Sequence, residues 1–109
     1  MIVVEICSNR ELISAFTVSG HAGMAEYGQD IFCAAVSSIT QTALLGLLQQ
    51  VYPPAAYNKS SGYMQVTLAR AMDQANSSKA QTILLTMLAG LKYLAEENPE
   101  FLKIVTRRC

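Results

Sequence analysis

The reading of the chain turns on residues 30–50, DIFCAAVSSITQTALLGLLQQ, which run without proline and with one glycine up to Val51-Tyr52-Pro53-Pro54. Asp30 has the chemistry of an N-cap, because its carboxylate can accept a backbone N–H from Phe32 or Cys33. The spacing therefore predicts a helix from Ile31 to about Gln50, stopped by the two prolines. Between Asp30 and Lys59 no residue is charged, a gap of 28 positions. Such a helix has no ordinary solvated face. It is either covered on most sides or partly buried in a subunit interface, and a homodimer is the expectation for so short a chain.

Outward from this helix, each side reads as a β-hairpin. Met1–Cys7 is β-branched and apolar and ends at Ser8-Asn9-Arg10, and Leu12–Val18 alternates as a second strand. After the helix, Ala56–Lys59 and Tyr63–Ala69 flank Ser60-Ser61-Gly62, with glycine where a turn needs it. Arg70–Ser78 reads as polar and irregular. Ser77 or Ser78 then caps a helix from Lys79 to about Glu97, with Ile83, Leu84, Met87, Leu88, Leu91 and Leu94 at helical spacing. Asn98-Pro99 ends it, and residues 100–105 fit either a helical turn or a short strand. The expected fold is an α+β two-layer sandwich of order ββαββα, one domain over residues 1–109. It has a mostly antiparallel four-stranded sheet covered by two helices.

Composition narrows the function. In 109 residues, 8 basic and 8 acidic side chains cancel, 51% are hydrophobic and 15% charged. That excludes a disordered solvating chain and lacks the basic excess of a nucleic-acid footprint, so neither nucleic acid nor membrane is an expected partner. The longest apolar runs, 31–36 and 43–48, are six residues each, short of the ~20 that span a bilayer. The N-terminus MIVVEICSNRE has no basic n-region and does not read as a signal peptide. Three cysteines, Cys7, Cys33 and Cys109, form no CxxC pair. This pattern reads as no disulfide framework and places the chain in a reducing cytoplasm. With a single histidine, no zinc site and no cofactor are expected.

One constellation carries chemistry. His21 follows a strand, and Cys33 comes twelve residues later, near the third position of the expected helix. There, unpaired N–H groups and the helix dipole favour a thiolate, and a neighbouring imidazole does the same. Cysteine and histidine brought together by a loop suffice for nucleophilic attack on a peptide carbonyl, with N–H groups at the helix start holding the oxyanion. Asp30 either caps the helix or orients the imidazole. Ser37 lies one turn beyond Cys33 on the same face. Gly20, Gly23 and Gly28 supply positive φ angles or hinge the long connection 21–30. Cys33 in IFCAAV also fits plain core packing, and spacing alone does not decide between the two. Cys7 and Cys109 have no histidine at comparable spacing and read as structural or incidental.

The ordered pattern Gly20-His21-Ala22, then Gly28-Gln29-Asp30-Ile31-Phe32-Cys33-Ala34-Ala35-Val36-Ser37, resembles the Prp family of bacterial ribosomal-processing cysteine proteases. The resemblance implies a catalytic dyad of His21 and Cys33, supported by Gly20, Asp30 and Ser37. It also implies a homodimer and a peptide substrate, the N-terminal extension of large-subunit ribosomal protein twenty-seven, cut after an aromatic residue. On that basis the aromatic side chain is expected in an apolar pocket near Met24, Tyr27 or Phe32. The peptide would lie extended, and the connection 22–29 would close over it through Gly23 and Gly28. Two other classes compete: a ribosomal-protein-binding module without catalysis, and a thiol redox sensor in which Cys7 or Cys109 approaches Cys33.

Overall fold

The computed structural model describes residues 1–20 and 27–109, the side chains of residues 27–30 excepted. Its elements are β1 (Ile2–Asn9), β2 (Leu12–Ser19), α1 (Tyr27–Gln50), β3 (Ala56–Ser60), β4 (Tyr63–Thr67), α2 (Gln74–Glu97) and β5 (Leu102–Arg108). The sheet order is β3-β4-β2-β1-β5. The α+β two-layer reading and both hairpins hold, but the sheet has five strands and is mixed. Its extra strand, β5, lies parallel to β1, with Ile2 opposite Leu102 and Ser8 opposite Arg108. The β-branched run Ile104-Val105-Thr106 favours extended backbone there. A parallel partner requires a long crossover, which α2 supplies, and nothing local in residues 100–109 announces it.

Alternation breaks in β2 for a visible reason. Cys7 pairs with Ala15 and Ser8 with Ile13, so Ser14 is an extra residue, a bulge. Ile13 and Phe16, three apart, therefore both point into the core. The Gln81 side chain of α2 answers the disturbed backbone, accepting from Ile13 N at 2.9 Å and donating to Ile13 O at 2.8 Å. The β1–β2 turn is Arg10-Glu11, both at positive φ, 52° and 68°.

The helices cover one face of the sheet. From α1, Phe32, Val36, Thr40, Ala43, Leu44 and Leu47 are buried; from α2, Ala80, Leu84, Met87 and Leu91. They meet Ile2, Val4, Ile6, Met64, Val66 and Leu102 from the strands. Residues 31–50 have the length and mean hydropathy, 1.8, of a membrane span, but these buried positions make α1 the core helix of the sandwich. The two helices run antiparallel: Gly46 sits against Ile83 and Gly90 against Ile39. The end of α1 is tied to the start of α2 where Tyr52 N donates to Asn76 Oδ1 at 2.8 Å.

Both helices begin earlier than their sequence signals suggested. For α2 the cap is Asp73, whose Oδ1 accepts from Asn76 N at 2.8 Å, so Gln74–Ser78 is helical rather than irregular. Neither Ser77 nor Ser78 is the cap. The bonds from Asn76, with Lys79 nearby, hold the Asp73 carboxyl below its usual 3.8. For α1 the helix opens at Tyr27, which makes Asp30 its fourth residue and not its cap.

The cysteine count was misleading. Cys7 and Cys109 are joined in a disulfide, their Cα atoms 5.6 Å apart across 102 residues of sequence. Parallel pairing of the first and last strands carries both to one end of the sheet, where Cys109 N also donates to Ser8 O at 3.0 Å. Spacing in the sequence contains no trace of that meeting.

Candidate active site

At the opposite end of β1, the sheet, α1 and the β3–β4 hairpin enclose a cleft of about 280 Å³. Its floor is apolar: Ile2 and Val18 from the sheet, Val36 from α1 and Met64 from β4. Cys33, Ser37, Thr40 and Gln41 line the helix side, and Lys59, Ser60, Gly62 and Tyr63 the hairpin side. Residues at i, i+4 and i+8 lie on one helix face, so Cys33, Ser37 and Gln41 form a row along the wall. Thr40, buried below the row, has its hydroxyl satisfied by donation to Val36 O at 3.0 Å.

Gly20 closes the strand end of the cleft. It sits at φ +92°, and a Cβ there would fall 2.5 Å from Met1 O; only glycine fits. Its N–H donates to Gly62 O at 3.0 Å. Gly62 is itself at φ 70° in the two-residue β3–β4 turn. Two glycines thus fasten the hairpin tip to the end of β2, and this brings Lys59 and Tyr63 to face α1.

Three of the residues singled out from the sequence, Gly20, Cys33 and Ser37, meet in this cleft. His21 and Gly23 lie outside the described residues, as do Met24 and the side chains of Tyr27 and Asp30. Gly28 is in the first turn of α1, not in a connecting loop. The expected closing segment 22–29 is therefore shortened at its C-terminal end. Cys33 is the seventh helical residue, in the second turn. Its own N–H is paired within the helix, and the unpaired N–H groups of the helix start lie ~6 Å or more before it along the axis, not beside it as a start at Ile31 would place them. Glycine at 28 disguised this early start. Phe32 is no part of the cleft wall: it is buried and packs on Phe101, ring centroids 5.5 Å apart.

The thiol-sensor reading loses its resolving cysteine. Cys7 lies five residues along β1 from Ile2, ~17 Å at strand rise, and is bonded to Cys109. Gln41, Lys59 and Tyr63 escaped the sequence reading altogether. The one hint was the charge pattern, in which Lys59 is the first charge after the gap; the hairpin carries it to the cleft. Among the described residues, no cluster of histidine, cysteine and carboxylates could hold a metal ion.

A half-buried thiol on a helix, set in a cleft with apolar floor and polar walls, has the layout of a cysteine-nucleophile hydrolase. Comparison with known proteins gives the particular family. The model of the cysteine protease Prp family matches residues 1–103. The ribosomal processing cysteine protease Prp of Staphylococcus aureus is 34% identical over 108 residues, covering 95% of this chain and 97% of that protein. The Bacillus subtilis protein of the same name is 27% identical over 96 residues, 86% of each chain. Crystal structures of the S. aureus protease with a covalently linked product peptide and with a substrate peptide superpose with TM-scores of 0.85 and 0.83. Both are 28% identical to this chain and cover 98% of it and all of theirs. The chain belongs to the Prp family of cysteine proteases.

Proposed function

We propose that this protease removes the N-terminal extension of large-subunit ribosomal protein twenty-seven, cutting after an aromatic residue, with Cys33 as nucleophile and His21 as general acid and base. The observation that carries the reading is the placement of Cys33 in the wall of the cleft, with Ser37 one turn further on and Gly20 at the strand end. The thiolate adds to the scissile carbonyl, and imidazolium protonates the departing amine. Water then hydrolyses the thioester with imidazole as base. Gly20 and Ser37 support the site by shaping its end and by offering a hydroxyl, and Asp30 supports it from within α1. Tyr63, in the cleft wall, is a candidate platform for the aromatic side chain in place of Phe32. The names of the relatives, and the peptide complexes of the S. aureus protease, support a peptide substrate drawn from a ribosomal protein. Such a substrate assigns the work to the cytoplasm, where a disulfide such as Cys7–Cys109 is the exception.

The reading includes a homodimer. Ile31, Leu45, Tyr52, Leu85 and Tyr93 are all exposed to at least half their surface, on and around the two helices, and the first helix carries no charge from residue 31 to its end. A second copy covering these side chains explains the missing solvated face. Sedimentation equilibrium giving the mass of one chain at micromolar concentration counts against it.

The central test is mass spectrometry of a synthetic peptide spanning the ribosomal extension, incubated with wild-type protein, Cys33→Ser and His21→Ala. One cut after the aromatic residue, lost in both variants, is the expected result. Binding without cleavage by the wild-type protein would instead make it an interaction module.

A further inference from the structure

Along the cleft face of α1, Cys33, Ser37 and Gln41 are stacked one turn apart. Gln41 Nε2 donates to Ser37 Oγ at 2.9 Å. From the opposite wall, Lys59 Nζ donates to Gln41 Oε1 at 2.8 Å. The direction of this chain is set by chemistry. An ammonium group has donors only, so it takes the amide oxygen and leaves the amide N–H to donate onward. Ser37 Oγ receives that bond, and its own hydrogen is left to be given elsewhere. Helical side chains lean toward the N-terminus, so Ser37 leans toward the turn that carries Cys33. Lys59 is also the only charged side chain among the described residues lining the cleft. Among the described residues lining the cleft, no carboxylate offsets its polarisation of the chain.

We infer that Lys59, acting through Gln41, is a positioning residue that fixes Ser37 as a hydrogen-bond donor to the oxygen made negative when the Cys33 thiolate adds to a carbonyl. This rests on Cys33 being the nucleophile. It supplies an oxyanion donor beside Cys33, where the N–H groups of the helix are already paired. In the addition step a sulfur lone pair forms the S–C bond and the carbonyl π pair moves to oxygen, where the Ser37 hydroxyl meets it. Collapse returns that pair and expels the leaving group. Ser37, Gln41 and Lys59 are exposed in the open cleft. An extended peptide lying over them excludes the water that screens the chain.

The test separates acylation, which builds an oxyanion, from alkylation, which does not. Unreduced protein is treated with p-nitrophenyl acetate, which acylates the thiolate and releases p-nitrophenolate, and in parallel with iodoacetamide, which is displaced at a saturated carbon. The Cys33→Ala background is subtracted from both. Ser37→Ala is expected to lower ester acylation about tenfold, below the loss seen when an enclosed oxyanion donor is removed, while alkylation changes less than twofold. Gln41→Leu and Lys59→Met are expected to lower acylation about threefold or more, and Lys59→Arg to restore it. The double variant Ser37→Ala/Lys59→Met should be no slower than Ser37→Ala alone, because Lys59 acts through Ser37. Additive losses in the double variant, equal losses in both reactions, or unchanged acylation in Lys59→Met each overturn the inference. If Cys33→Ala consumes the ester as fast as wild type, Cys33 is not the nucleophile and the proposed mechanism falls with it.

Discussion

Gly20 and Gly46 make a matched pair for testing how this fold constrains its cleft. Replacing Gly20 with alanine puts a Cβ 2.5 Å from Met1 O at φ +92°. The backbone conformation costs an L-residue ~1–2 kcal/mol. Relieving a contact with main-chain oxygen adds ~1–3 kcal/mol of the kind seen on overpacking. The expected loss is therefore ~2–5 kcal/mol. Gly46 is in mid-helix, and the nearest atoms to a Cβ there are all of the Ile83 side chain, at 3.4–3.8 Å, ordinary van der Waals distance. Alanine should gain most of the ~1 kcal/mol that separates it from glycine in a helix, so Gly46→Ala is expected to be neutral or stabilising. Urea denaturation followed by circular dichroism reads both. With a slope of ~2 kcal/mol/M, Gly20→Ala moves the midpoint down by ~1–2.5 M, and Gly46→Ala leaves it in place or raises it. A Gly20→Ala loss below ~1 kcal/mol would show that the end of β2 yields easily. Glycine would then not be required at that position.

Two further outcomes are expected. Unreduced, denatured protein should take up one iodoacetamide per chain, at Cys33, and reduced protein three. Reduction should also cost ~2–4 kcal/mol, since the bridge closes almost the entire chain; three labels without reductant would exclude the disulfide. Asp73→Ala should destabilise at neutral pH, with the gap from wild type closing on acidification. Because the folded carboxyl titrates below 3.8, the cap's contribution is present above that pH and is lost as pH falls through the lower folded value. Parallel thermal melts between pH 2 and 7 check this, and a gap that stays constant down to pH 2 refutes the role of the charge.

Local chemistry made much of the fold readable. The two hairpins, the proline stop after Gln50 and the apolar spacing of α2 all act within a few residues, and each is present as expected. What stayed hidden was non-local. Strand β5 needs β1 as its partner from across the chain, and the Cys7–Cys109 bond exists only because that pairing does. Helix starts misled for another reason: Ser77 and Asp30 are good caps in isolation, but Asp73 and the turn at Tyr27 take the helices further. The cleft was half legible. An ordered pattern exposed Cys33 and Ser37, whereas Lys59 and Tyr63 reach the site by hydrogen bonding of a hairpin tip to Gly20, which no spacing records.

The arrangement of the chain ends has a practical side for anyone preparing this enzyme. Because Met1 O lies over Gly20 and Ile2 lines the cleft, residues fused ahead of Met1 emerge at its mouth. An affinity handle placed there would compete with the peptide being assayed, and its removal would change apparent turnover without any change in chemistry. The other terminus leaves from beside Ser8, about 20 Å away down the length of β1. Handles for surface capture or fluorescent labelling belong at that end.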